Sequence, residues 1–254
     1  YYTAQVRYSA DGDYTFDISY ADRAKNSAAK FAQHKFTIDK TVPTVSVSYD
    51  NASAINGNYY KADRVATIAI TEHNFDSSRV RIIGTATDNG KVVTFPAASG
   101  WSDNGDVHTA TVSYSADAKY SFDIEFTDKA GNVMADYSAD EFYVDKTAPT
   151  LTISGVADKS ANNGTVAPVI TVSDTNFSSK SVTYKLTGVN NGTVTYEASV
   201  TDTTNGQKIT FADFEKAQKV DDIYTLTVAS TDMAGNETTA SITFSVNRFG
   251  SVYD

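Results

Sequence analysis

The sequence contains no cysteine among its 254 residues, and this absence excludes a disulfide framework and any metal site built on thiolates. Histidine is nearly as scarce, with three residues in three unrelated contexts at His34, His73 and His108. A Ser-His-Asp or histidine-metal constellation therefore has little to draw on, and no carboxylate spacing singles out a glycosidase pair. We expect a protein that is not an enzyme.

Long apolar runs and an excess of positive charge are also lacking. No stretch approaches the roughly 18 apolar residues that a membrane-spanning helix needs, so we expect no direct membrane insertion. The 31 acidic residues outnumber the 21 basic ones, which gives a formal net charge of −10. Because such a surface repels nucleic acids and anionic membranes, we expect no nucleic-acid partner, whereas cations are suitable ligands.

What the sequence does contain is an internal repeat of roughly one hundred residues, the size of a small domain. The segment YSADGDYTFDISYADRAKN at 8–26 matches YSADAKYSFDIEFTDKAGN at 114–132, and IDKTVPTVSV at 38–47 matches VDKTAPTLTI at 144–153. A third copy contains DDIYTLTVASTDMAGN at 221–236. These matches predict the back half of a unit at 1–40, a complete middle unit at 41–146, a complete last unit at 147–248, and the start of a next segment at 249–254.

Apolar residues alternate with polar ones in each copy, as in strands with one buried face. In YSFDIEF at 120–126 the apolar side chains point inward and Ser121, Asp123 and Glu125 point outward. The middle unit has seven such segments, at 45–49, 65–71, 79–83, 91–95, 108–114, 120–126 and 141–144, and the half unit has three, at 3–9, 14–20 and 35–39. The one candidate helix is FADFEKAQK at 211–219. This pattern predicts an all-β fold of tandem seven-stranded antiparallel immunoglobulin-like sandwiches.

The linkers between units, DKTVPT and DKTAPT, contain proline but no glycine. Proline holds the preceding residue in an extended conformation, so each linker is expected to be a short, stiff spacer and the units to form a rod. The half unit at 1–40 would expose an apolar face by itself. We expect it to belong to a domain whose front half lies elsewhere, or to pair with another chain.

These linkers, the segment NGNYYKADRVATIAITEHNFD at 56–76 and the repeated Asp-x-Ala-Gly-Asn motif resemble the tandem Ig-like repeats of large surface proteins of Gram-positive, often gut-dwelling, bacteria. The resemblance covers essentially the whole chain. It implies an extracellular, cell-surface location, a role as stalk or spacer, and neighbouring repeats of the same longer chain as partners. Some such modules bind a host glycoprotein, an immunoglobulin or a glycan, and others accompany surface carbohydrate-active enzymes.

Three acidic segments are expected to meet at each junction between units, because the two loops concerned lie at the same end of such a sandwich as the entering linker. Calcium takes six to eight oxygen ligands, so each cluster is a candidate calcium site. The candidate ligands are Asp39, Glu72, Asp76, Asp128 and Asn132 at the first junction and Asp145, Asp174, Asp232 and Asn236 at the second.

The alternative needs no cofactor. In it the aspartates of DKAGN and DMAGN bond the backbone of their own turns, with Gly131 and Gly235 supplying a positive φ. The lysine that follows Asp39 and Asp145 in the linkers also argues against a bound cation.

Three aromatic residues are candidates for ligand binding. Trp101, the only tryptophan, lies in the polar segment SGWSDNGD at 99–106, which has no equivalent in the last unit, and Tyr59 with Tyr60 follows NGN in the middle unit. Exposed aromatic rings stack on sugars or anchor protein partners. The alternative is that all three pack against the sandwich.

Overall fold

The computed structural model describes residues 2–139 and 141–250, and its regular structure is almost entirely β. Strand β1 (Gly12–Phe16) pairs antiparallel with β2 (His34–Ile38) to form a hairpin, which is the only sheet in residues 2–40. The predicted strand at 3–9 does not form, since these described residues pair with no other segment. The predicted next segment at 249–254 lies mostly outside the described residues.

The middle unit is a sandwich of two sheets. Its strands are β3 (Thr44–Tyr49), β4 (Tyr59–Tyr60), β5 (Arg64–Thr71), β6 (Arg81–Asp88), β7 (Lys91–Val92), β8 (Ser102–Asn104), β9 (Val107–Tyr114), β10 (Ala118–Glu125), β11 (Tyr137–Ser138) and β12 (Phe142–Val144). One sheet has the order β3-β5-β9-β8, and the other has β4-β12-β10-β6-β7 with β11 beside β10. The fold-class prediction is confirmed.

The last unit repeats this arrangement. Its strands are β13 (Thr150–Ser154), β14 (Ala161–Asn162), β15 (Val169–Ser173), β16 (Thr183–Gly188), β17 (Gly192–Val194), β18 (Ala198–Thr203), β19 (Gly206–Phe211), β20 (Asp222–Thr231) and β21 (Glu237–Val246). The sheets have the orders β13-β15-β19-β18 and β14-β21-β20-β16-β17. Each of the two units therefore encloses its own hydrophobic core.

Some predicted elements differ from the observed ones. Short 3-10 helices occupy Ser77–Arg79, Ser179–Ser181 and Gln218–Val220. The candidate helix at 211–219 is wrong, because Phe211 ends β19 and only a single 3-10 turn begins near the far end of the segment. The predicted strand at 79–83 begins two residues later, at Arg81, and the one at 91–95 ends at Val92. The strands β4, β8 and β11 are too short to show an alternating pattern.

All three copies contain the same tyrosine corner. The hydroxyl of Tyr120 donates to the carbonyl oxygen of Ala116 (2.8 Å), and Tyr224 and Tyr14 make the same bond to the residue four positions before them, at 2.8 and 2.9 Å. Each tyrosine also lies opposite a phenylalanine of the next strand, the pairs being Tyr14 with Phe36, Tyr120 with Phe142 and Tyr224 with Phe244. The half unit therefore has the register of a complete unit's last two long strands.

The half unit differs from the complete units in burial. Phe142 is 1% exposed in the middle unit, whereas its counterpart Phe36 is 37% exposed. In the described residues no second sheet covers the hairpin, so Tyr8, Tyr14 and Phe36 pack mainly on one another. The expectation of an uncovered apolar face is met, and how that face is completed stays a prediction.

The same tyrosine substitution in the half unit and in the middle unit tests this difference in burial. We expect Tyr120→Phe to lower the free energy of unfolding of the middle unit by about 1 to 2 kcal/mol, because the buried Tyr120 loses its hydrogen bond to the carbonyl oxygen of Ala116. Tyr14→Phe should change it by less than about 0.5 kcal/mol, since Tyr14 lies in the uncovered hairpin. Urea denaturation followed by Trp101 fluorescence measures both. Equal losses in the two variants would contradict the assignment of the hairpin as an incomplete unit.

Candidate metal centres at the two junctions

Each junction brings together three carboxylates from three separate segments. The first triad consists of Asp39 in the linker, Glu72 at the end of β5 and Asp128 in the loop after β10. The second triad consists of the equivalent residues Asp145, Asp174 and Asp232. In each triad one oxygen from every carboxylate lies within 4.8 Å of the other two.

The aspartates of the repeated motif also shape their own turns. Asp128 Oδ1 accepts hydrogen bonds from the backbone N–H of Gly131 (2.7 Å) and Asn132 (2.9 Å), and Gly131 has a φ of 95°. In the half unit Asp22 accepts in the same way from Asn26, although Lys25, with a φ of 70°, stands in place of glycine. The turn interpretation therefore describes the backbone of this loop, and the carboxylate of Asp128 belongs to the first triad as well.

Asparagine side chains fasten the linker to the two loops. Asn132 Nδ2 donates to Asp128 Oδ2 (2.8 Å) and to the carbonyl oxygen of Asp39 (3.2 Å), while Asn74 Nδ2 donates to Asp39 Oδ2 (2.8 Å). The second junction repeats all three bonds with Asn236 to Asp232 (2.8 Å), Asn236 to the carbonyl of Asp145 (2.9 Å) and Asn176 to Asp145 (2.8 Å). The asparagines thus hold the carboxylates of both triads in place.

Asp76, a predicted ligand, belongs to neither triad. Its Oδ1 accepts from the backbone N–H and the hydroxyl of Ser78 (3.1 and 2.6 Å) at the start of a 3-10 helix, and its other oxygen lies 3.6 Å from Arg79 Nε. This side chain therefore caps its own turn.

The linker lysines are paired with carboxylates that belong to neither triad. Lys146 Nζ lies 2.7 Å from Asp63 Oδ1 and also donates to the carbonyl oxygen of Ser115, and Lys40 Nζ lies 3.6 Å from Asp11 Oδ1. The positive charge of each lysine is therefore partly balanced by its own partner.

Burial and mutual repulsion both act on the carboxylates of the triads. Two unit charges 4.8 Å apart repel each other by about 3 kcal/mol at an effective dielectric constant of about 20. Burial raises the pKa of Glu72 and of Asp145, and it raises the pKa of Asp174 to about 6. Burial acts on Asp128 too, but hydrogen bonds from Asn132 and Gly131 hold its pKa below the usual range. Protonation or a bound cation relieves this repulsion.

The chemistry of the ligands selects the cation. The triads consist of oxygen atoms alone, which suits calcium or magnesium and not the softer transition metals. A cation held by the three carboxylates would connect the end of one unit's last strand with two loops of the next. Such a site is structural.

The three aromatic residues that are candidates for ligand binding lie in three different environments. Trp101 is half-buried against the middle core, with its ring centroid 5.1 Å from that of Phe75. Tyr60 is 7% exposed and lies below the guanidinium of Arg64 (4.1 Å), so it faces the core. Tyr59 points to the opposite face of the sheet and stacks on Tyr143, with ring centroids 4.3 Å apart. Of the three candidates, Tyr59 is therefore the one whose ring lies on the outer face of a sheet.

Two of the three histidines, His73 and His108, lie at the first junction. Buried His108 lies 2.6 Å from Asp103 Oδ1 and 2.8 Å from the carbonyl oxygen of Glu72, and it stacks on Phe75. This contact fixes the segment that carries Glu72. His73 lies between Asp106 (3.0 Å) and Asp13 of the hairpin (3.3 Å), and both carboxylates raise its pKa.

Among the described residues no helix has the length and apolar character needed to cross a lipid bilayer.

Comparisons with known proteins identify the fold family. The model of the family described as bacterial Ig-like domain (group 3) matches residues 1–102 and 107–247. No curated protein matches the chain. Among solved structures, the Yersinia pseudotuberculosis adhesin InvE is 14% identical, over 79% of this chain and 58% of its own, with a TM-score of 0.39. Titin Ig tandem domains are 10% identical, over 82% of this chain and 99% of theirs, with a TM-score of 0.34.

The raised pKa of Asp174 predicts how the stability of the last unit depends on pH. Between the ordinary value of 3.8 and about 6, the folded state holds a proton that the unfolded state has released. Unfolding therefore becomes easier as the pH rises through this window when divalent cations are removed. Calorimetry in a chelator should show this decline in the native chain and a smaller one in Asp174→Asn. Parallel pH curves for the two proteins would contradict the assignment.

Proposed function

Because the chain belongs to the family of bacterial Ig-like domains (group 3), we propose that it is a non-catalytic spacer of a bacterial surface protein whose junctions are stiffened by bound calcium. In this proposal each unit is a passive β-sandwich, and the functional chemistry lies between the units. The chain lies outside the cell, and its partners include neighbouring repeats of the same longer protein.

The recurrence of the carboxylate triad at both junctions carries the proposal. The six residues form two clusters of three. Each cluster takes one carboxylate from the linker and one from each of two loops of the following unit. Asp39, Glu72 and Asp128 would share one cation, and the equivalent three residues would share another. A partly buried cluster of three like charges destabilises the folded chain unless something neutralises it, and the two positive charges of calcium would balance most of this negative charge.

Contacts across the second junction support a stiff arrangement. Lys61 Nζ donates to the carbonyl oxygen of Gly235 (2.8 Å), and Asn56 Nδ2 donates to that of Met233 (2.8 Å). The middle unit therefore makes two hydrogen bonds to the DMAGN loop of the last unit. Pro43 and Pro149 are buried directly before the first strand of each unit, which limits the freedom of both linkers. A cation would add a further constraint at the same place.

Calcium titration of the whole chain by calorimetry tests the proposal. We expect two sites in the native protein and one site in each of the variants Glu72→Gln and Asp174→Asn, because each variant removes one carboxylate oxygen donor from a single triad. Asp76→Asn is the matched control and should retain both sites. Calcium at about 100 times its Kd should raise the free energy of unfolding by about 2.7 kcal/mol for each occupied site.

The outcome that overturns the calcium proposal is an absence of saturable heat in the native chain together with a melting temperature that calcium does not change. Retention of two sites in Glu72→Gln would instead show that the first triad does not bind the ion.

A further inference from the structure

A cleft of about 430 Å³ lies at the second junction and contains the stacked tyrosine pair. Its floor is the outer face of a middle-unit sheet, and its far wall is the loop of the last unit that includes Thr175. A hairpin turn at Asn89 and Gly90 closes a third side, and Asn89 Oδ1 accepts from Asn205 Nδ2 of the last unit (3.0 Å). The volume falls within the range of about 300 to 1,000 Å³ that is usual for small-molecule pockets.

The floor of the cleft is a row of four side chains across neighbouring strands. Thr87, Lys119, Tyr143 and Tyr59 are consecutive partners on β6, β10, β12 and β4. The rings of Tyr59 and Tyr143 are nearly parallel, at 12°, and both are partly exposed in the lining of the cleft. An apolar ring face beside polar groups is the surface on which the C–H face of a sugar stacks.

The walls of the cleft offer both acceptors and donors. Asp88 and Asp117 supply carboxylate oxygens, whereas Thr175 and Lys119 supply donors. A hydroxyl group donates and accepts at once, so a molecule rich in hydroxyls matches this mixture. Lys119 is already paired with Glu141 (2.8 Å), and the remaining charge of the cleft is negative, which disfavours an anionic ligand.

A cationic ligand is less well matched. The ammonium of Lys119 already lies 5.8 Å from the centroid of the Tyr143 ring, where a ligand cation would otherwise sit. We propose that this cleft binds a neutral sugar, with Tyr59 and Tyr143 as the stacking residues and the carboxylates and hydroxyls of the walls as hydrogen-bond partners.

The other copies of the row serve as internal comparisons. In the last unit the positions of Tyr59 and Tyr143 are taken by Ala161 and Ser245, which pair in the same parallel register. At the first junction the position of Tyr143 is taken by Thr37. The cleft there keeps its carboxylates, at Asp11 and Asp39 among others, but has no tyrosine in its lining. A sugar site is therefore expected at the second junction alone.

Saturation-transfer NMR with the whole chain and the methyl glycosides of glucose, galactose, mannose and N-acetylglucosamine tests the proposal. We expect at least one glycoside to bind in the millimolar range, with the strongest transfer to the C–H groups of the ring. The double variant Tyr59→Ala with Tyr143→Ser introduces the residues that the last unit carries at these positions. It should weaken binding at least about tenfold, or 1.4 kcal/mol.

The control variant is Tyr20→Ala, which removes an exposed tyrosine of the hairpin and should leave binding unchanged. Sialic acid is the anionic control and should not bind. Absence of transfer to all four glycosides, or equal binding by the double variant, overturns the proposal. Binding of a lysine peptide in place of the glycosides would assign the cleft to cations and overturn it as well. Asp145 and Asp174 of the second triad also line the cleft, so the NMR measurement is made both with calcium and in chelator, and binding in either condition supports the proposal.

Discussion

The repulsion among three clustered carboxylates at each junction is the constraint on which the arrangement of the chain depends. These groups could have been solvated in open loops, but the fold encloses most of them between the linker and two loops of the following unit. Asparagine side chains hold the geometry by bonding both the carboxylates and the linker backbone. Protonation in acid would remove the energetic cost of this enclosure, as would the divalent cation that we propose for neutral pH.

The units themselves are built for repetition. Each has its own core, and the tyrosine corner with its opposite phenylalanine recurs in the same register three times. The copies differ inside the core, where Phe122 and Phe126 correspond to Leu226 and Ser230. They also differ on the outer face, where the last unit has small residues in place of Tyr59 and Tyr143. The register of the strands is kept in spite of both changes.

Much of this organisation could be predicted from the sequence, because repeats fix register and two-residue alternation fixes which face is buried. The membership of the triads followed from topology, since both loops and the linker meet at one end of a sandwich. Asp76 lies outside both triads, and its capping of a local turn has no signal in a pattern of acidic residues. Tyr143 and His108 were missed, since their roles depend on partners distant in sequence, Tyr59 and Glu72.

Distance measurement between spin labels on the middle and last units tests the central claim most directly. The chain has no cysteine, so Ser113→Cys and Thr201→Cys, both at exposed positions, give two specific labelling sites. Our account predicts that calcium narrows the distribution of distances and that Asp174→Asn abolishes the narrowing, whereas Glu72→Gln, at the other junction, does not. An equally broad distribution with calcium and with chelator would contradict it.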